Sequence, residues 1–189
     1  VQYMAAVLTL ESSARKTEDW APYLEDCRRP RFPDHAADAP NAGIDTHPPA
    51  INISEAAFTV AWDDAEERTN CNGHIRFGLG AIKGVGRAAI EAILAERDEA
   101  GSFTSLHDLC ARVSSRAVNR ATLESLIESG ALDSLHGDGR RAAMIASIDD
   151  AVAFGQSAAA DRAAGQNTMF DMFEEHEEDQ SVPEVHLQN

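Results

Sequence analysis

The sequence predicts a mainly α-helical fold carrying one small β-hairpin. Three observations point there. Alanine is abundant while aromatic residues make up only 6% of the 189 residues, a balance that favours helix over sheet. Apolar residues recur at three- and four-residue spacing through most of the chain. The segment Ile82-Lys83-Gly84-Val85-Gly86-Arg87 places two glycines around one apolar residue immediately before an alanine-rich helical pattern. That is the pattern of a tight turn between two helices.

Each element follows in order. Gln2 to Ser13 reads as a helix with Tyr3, Met4, Val7, Leu8 and Leu10 apolar. Thr17 to Cys27 reads as a second, with Thr17 as N-cap, Glu18 and Asp19 in its first turn, and Pro30 beyond its end. A loop rich in proline, alanine and aspartate follows, stiffened by Pro48-Pro49. Ala57 to Trp62 and His74 to Leu79 are strand candidates, and Asn72-Gly73 is a turn signal between them. Arg87 to Ala100 is a helix closed by Gly101. Ser105 starts a short helix, Val118 to Ser129 is the next, and Gly130 closes it. Arg140 to about Phe154 is the last helix. Beyond Gly155 the residues are small and polar, then acidic, which predicts a flexible, disordered tail.

Charge and cysteine content restrict function. The formal net charge is −16, yet basic and acidic residues balance between His74 and Ile145, and from Asp171 onward there are acids with no Lys or Arg. The overall charge therefore says little about the middle of the chain. Cys27, Cys71 and Cys110 form an odd, widely spaced set, suited to reduced thiols in a cytoplasm. Cys71-x-x-His74 and His107-x-x-Cys110 have zinc-like spacing, but a short helix and a hairpin loop explain them better, so no metal is expected. No apolar run is long enough for a bilayer and no signal peptide is visible, so no membrane partner is expected. The chain opens on Val1 with core-like residues, which suggests a piece of a longer protein.

The glycine turn carries the chemistry. Gly84 and Gly86 permit positive φ and close approach of backbone to a partner. The helix that starts at once turns its free N–H groups and positive dipole end outward, and Lys83 and Arg87 add mobile charge. This is the pattern of a helix-hairpin-helix turn, and it suits the phosphates of double-stranded DNA without base readout. Arg116, Asn119 and Arg120, before the helix that follows Val118, form a second candidate phosphate contact. Leu126 to Leu132, around Gly130, resembles a degenerate second hairpin, giving a tandem helix-hairpin-helix domain. In the tail, Gln166, Met169 and Phe170 form a short linear motif: an amide for a polar rim and two apolar side chains for a pocket. Gly78-x-Gly80 lacks the third glycine of a dinucleotide fingerprint, and no catalytic set has readable spacing.

Taken together the blocks resemble the alpha (polymerase) subunits of bacterial DNA polymerase III. The resemblance is carried by Gly43-Ile44, Pro48 to Asn52, Phe58-Thr59-Val60, Ile75 to Gly86, Phe103 to Cys110, Val118-Asn119-Arg120 and Leu126 to Leu135. It implies the end of a fingers domain over residues 1–29, a Pro-rich loop with an insertion at Pro30 to Ala42 over 30–52, a DNA-binding domain over 53–154, and a tail over 155–189. It implies that Gln166, Met169 and Phe170 bind the sliding clamp (the beta subunit), and that other holoenzyme subunits are partners. The family's catalytic aspartates and magnesium belong to a palm domain that precedes these residues, so no cofactor is implied here. The alternative within the family is an error-prone, damage-tolerant relative of the same subunit, which these residues separate poorly from the replicative one. Without the resemblance, a stand-alone helix-hairpin-helix repair or scaffold protein also fits.

Overall fold

The computed structural model describes residues 1–29, 43–62, 68 and 73–177, with side chains through 164. It is mainly helical with one small sheet. Helix α1 spans Gln2–Ala14 and α2 spans Thr17–Arg28. The cap of α2 is Lys16, not Thr17, and the Lys16 side chain makes no capping bond. Pro22 lies inside α2, and burial of Trp20 and Cys27 on either side holds that helix in place.

The expected hairpin is a three-stranded sheet. Strands β1 (Thr46–His47), β2 (Thr59–Ala61) and β3 (His74–Arg76) lie in the order β1-β3-β2, with β1 parallel and β2 antiparallel to β3. The added strand comes from the stretch before Pro48-Pro49, where two residues are too few to show an alternating pattern. Its register is fixed by Ile75 N–H donating to Asp45 O at 2.8 Å and Phe77 N–H donating to His47 O at 3.1 Å. The sheet packs under α1 and α2. Trp20 meets Phe58 edge-on at 5.8 Å, and Phe58 meets Phe77 at 4.7 Å.

From β3 the chain passes through a 3-10 turn at Leu79–Ala81 into the glycine turn and helix α3 (Arg87–Ala100). Then come α4 (Leu106–Arg112), α5 (Arg120–Glu128), α6 (Asp133–His136), α7 (Arg141–Ala146) and α8 (Ile148–Glu177). The helix expected from Arg140 to Phe154 is two helices, α7 and α8, broken at Ser147. The helix expected from Val118 starts two residues later, because Asn119 caps it. Nor does the backbone stop being helical at Phe154. Gly155 lies so close to α4 that a Cβ there would strike the Cys110 carbonyl, and Arg162 donates to Ala111 O. A bare face at position 155 lets α8 pack on α4, which is why the small, polar composition reads as disorder and folds as helix over 155–164.

Two cores result. One joins Leu79, Val85 and α3 to α4, α5, α7 and the start of α8; the other joins α1, α2 and the sheet. Ile51 belongs to the first and Ile44 to the second, so the stretch between them ties the cores together. Asn52 fixes the same stretch to Phe103, its side chain both accepting from the Phe103 N–H and donating to the Phe103 carbonyl at 2.8 Å. Arg97, only 10% exposed, donates to Ser54 O at 2.7 Å and pairs with Glu55 at 3.0 Å. The Pro30 to Ala42 insertion, Cys71, Asn72 and the last residues from 178 lie outside the described residues.

Candidate nucleic-acid interface

The glycine turn is built by one internal bond and one buried anchor. Val85 donates its N–H to Ile82 O at 3.2 Å, and its side chain is buried. Gly84 stands at φ +91°, and a Cβ there would lie 2.5 Å from Ser125 Oγ on α5. Gly86 differs. It is the N-cap of α3 with φ −78°, and a Cβ built on it would meet nothing within 4 Å. Positive φ is therefore needed at Gly84 only. Among the described residues, the bare backbone at Gly86 serves no contact; what it leaves is open room in front of the helix end.

Gly86 O accepts from Ala89 and Ile90. Among the described residues, the N–H groups of Gly86, Arg87 and Ala88 have no acceptor, and all three residues are exposed. Lys83 is exposed and without an ion pair among the described residues. Arg87 is 92% exposed and pairs with Glu91 at 2.6 Å; that hydrogen bond, then the carboxylate charge, raises its pKa. The turn thus offers backbone donors, the positive end of a 14-residue helix and two basic side chains to an anion.

The second turn is not at Leu126 to Leu132. There α5 ends in a Schellman motif. Gly130 at φ +83° donates to Ile127 O, and Ala131 donates to Leu126 O, both at 3.0 Å. Arg141 closes this end by donating to Glu128 O and pairing with Asp133. The carbonyls of Leu126, Ile127, Glu128, Gly130 and Ala131 there all accept from N–H groups within the chain.

A repeat with an offset of 33 residues, Val85 to Val118, places the second turn earlier. Val118 is buried as Val85 is, Asn119 caps α5 as Gly86 caps α3, and Arg120 opens α5 as Arg87 opens α3. Arg120 pairs with Glu124 four residues on, as Arg87 pairs with Glu91. The buried faces match also: Ala89, Ile90 and Ile93 against Thr122, Leu123 and Leu126. Arg116 stands where Lys83 stands. Spacing alone could have found this repeat, but the substitution of Ala117 and Asn119 for the two glycines hides it from a search for glycines.

The two turns are unequal as anion sites. Asn119 spends its side-chain oxygen on the Thr122 N–H at 3.0 Å. Arg120 pairs with Asp149 of α8 as well as with Glu124, and these acids raise its pKa, Asp149 foremost. Arg116 alone is exposed and without an ion pair among the described residues. Gln166, Met169 and Phe170 fall within the α8 backbone, and their side chains lie outside the described residues. Among the described residues, no group of three or more His, Cys, Asp or Glu side chains could hold a metal, and no helix is long and apolar enough to cross a membrane.

Comparison with known proteins agrees with this geometry. A family model described as a helix-hairpin-helix motif matches residues 43–143. The chain is 39% identical over 178 residues to a DNA polymerase III subunit alpha of Haemophilus influenzae, covering 94% of this chain and 13% of that protein. Over 175 residues it is 39% identical to the subunit alpha of Deinococcus radiodurans, covering 92% of this chain and 11% of that one. The Escherichia coli K12 protein is 37% identical over 177 residues, with shares of 94% and 13%. The chain thus spans 11–13% of the length of these curated relatives.

Proposed function

This chain belongs to the helix-hairpin-helix family and is homologous to a segment of DNA polymerase III alpha subunits; from that premise we propose that it holds duplex DNA by its backbone for a replicative DNA-directed DNA polymerase. The observation that carries the proposal is the open turn: unsatisfied amides at the start of α3, bare backbone at Gly86, and Lys83 and Arg87 beside them. Such contacts grip phosphate without reading bases, so DNA can slide through. Arg116 adds a weaker contact at the second turn, while Asn119 and Arg120 chiefly build it. Nucleotidyl transfer, and the magnesium it needs, belong to a palm domain outside these residues.

Few phosphate contacts bind weakly, roughly 10⁻⁴ to 10⁻⁶ M at physiological salt. We propose further that Gln166, Met169 and Phe170 tether the polymerase to the sliding clamp in the cytoplasm, beside the other holoenzyme subunits. A tether makes the DNA contact intramolecular and can raise avidity about 10²–10⁴-fold without a new contact.

The test is Lys83→Glu combined with Arg87→Glu. Duplex affinity should fall, and the slope of log affinity against log salt should flatten by about 0.9 for each phosphate no longer neutralised. Unchanged binding would show that the turn does not hold DNA.

A further inference from the structure

The first residues of the glycine turn, Ile82 to Gly84, help line two adjoining clefts. One, of about 780 Å³, runs from the turn towards α5 and ends at Glu128 and Ser129. The other, of about 540 Å³, runs from the turn to the corner between α1 and α2, where Arg15, Lys16 and Glu18 face Gly80 to Lys83. Thr17, Trp20, Ala81, Ile82 and Lys83 line both, so the clefts form one trough that passes the turn.

The two arms differ in charge. Among the described residues, Lys83 is the only basic one lining the α5 arm, which holds the acid Glu128. Among the described residues, the α1–α2 arm carries Arg15, Lys16 and Lys83 against the one acid Glu18. Lys16 is 83% exposed and only loosely held, 3.8 Å from Glu18. Arg15 is 56% exposed and pairs with Glu11 at 2.7 Å. Three cations along one arm stand out in a chain of net charge −16.

We propose that the sugar–phosphate backbone leaving the glycine turn continues along the α1–α2 arm, with Lys16 and Arg15 taking the next phosphates. This rests on the reading of the turn as a duplex contact. A strand carries one charge per about 3.4 Å of helix axis, so a phosphate held at the turn brings its neighbours against the adjacent wall. The basic wall attracts them and the Glu128 wall repels them. The arm therefore sets the direction in which the strand runs as well as adding grip.

The experiment is a salt titration of mixed-sequence duplex binding by the 189-residue chain and two surface variants, with circular dichroism confirming that each folds. Lys16→Ala should lower the salt slope by about 0.9, equivalent to roughly 3.5-fold less change in affinity between about 50 and 200 mM salt. Glu18→Gln should tighten binding, a gain that misfolding cannot imitate. If either variant matches the parent chain while Lys83→Glu with Arg87→Glu still weakens binding, the trough is overturned and the turn stands. If the parent chain shows no salt-sensitive duplex binding, the reading of the turn falls and the trough with it.

Discussion

Position 84 requires a glycine for the fold; position 86 does not. A residue other than glycine at φ +91° costs about 1–2 kcal/mol, and the added Cβ must also displace Ser125 Oγ from 2.5 Å. Gly84→Ala is therefore expected to destabilise the chain in urea by more than the backbone term alone. In a Ser125→Ala background the loss should shrink towards that term. Gly86→Asp should do the reverse: an N-cap acceptor gains a few tenths of a kcal/mol over glycine, while the carboxylate blocks the amides. Stability should hold or rise as duplex affinity falls, and a joint loss of both would make Gly86 a structural glycine. The sequence signals both glycines equally. Only the dihedral angles and the room around each Cβ separate a glycine kept for folding from one kept for a partner. The Thr17 cap misleads for a similar reason: residue type is right, but the helix begins at Thr17 itself, which puts the cap one position earlier, at Lys16.

Among the helices, sequence periodicity locates α1 to α5 closely, because each buries a face against a neighbour. It misses the break at Ser147, since the apolar spacing of Met144, Ile145, Ile148 and Val152 continues across it. It also misses the side chains that join elements. Arg112 is 16% exposed and binds Glu96 at 3.0 Å, Asp108 at 3.3 Å, and the carbonyls of Glu96 and Gly101 at 2.9 and 2.8 Å. Its guanidinium also lies 4.5 Å from the Phe103 ring centroid. An arginine at the end of a short helix looks like a solvated charge in sequence; here it locks α3, the Gly101 turn and α4 together. A lysine cannot present a planar fork to these acceptors. Arg112→Lys should therefore cost about 2 kcal/mol, seen as a lower urea midpoint with unchanged slope. An unchanged midpoint would show that charge alone suffices there.

The described residues form two cores, with residues 44–52 running from one to the other, and the molecule's helical class was readable from composition and spacing. Its division of labour was readable in part. The first turn stands out in sequence because glycines mark it, whereas the second emerges only when the 33-residue repeat is set against burial. The proposed clamp contact acts by joining the chain to a second body. Replacing Met169 and Phe170 with Ala should weaken binding to a purified sliding clamp at least about 30-fold, as loss of an interface anchor does, and leave duplex affinity unaltered. Retained clamp affinity would make the motif incidental. Helix α8 gives that arrangement a mechanical property. Ile148, Ala151 and Gly155 are buried, but from Gln156 to Ala164 no side chain is, and Arg162 holds on by a surface bond. Uncoiling those nine residues would cost helix stability without opening either core. Coiled they reach about 14 Å, and drawn straight about 30 Å. The stretch can serve as an extensible leash whose slack is stored as helix turns, letting whatever holds its far end shift by more than a nanometre while the domain keeps its place.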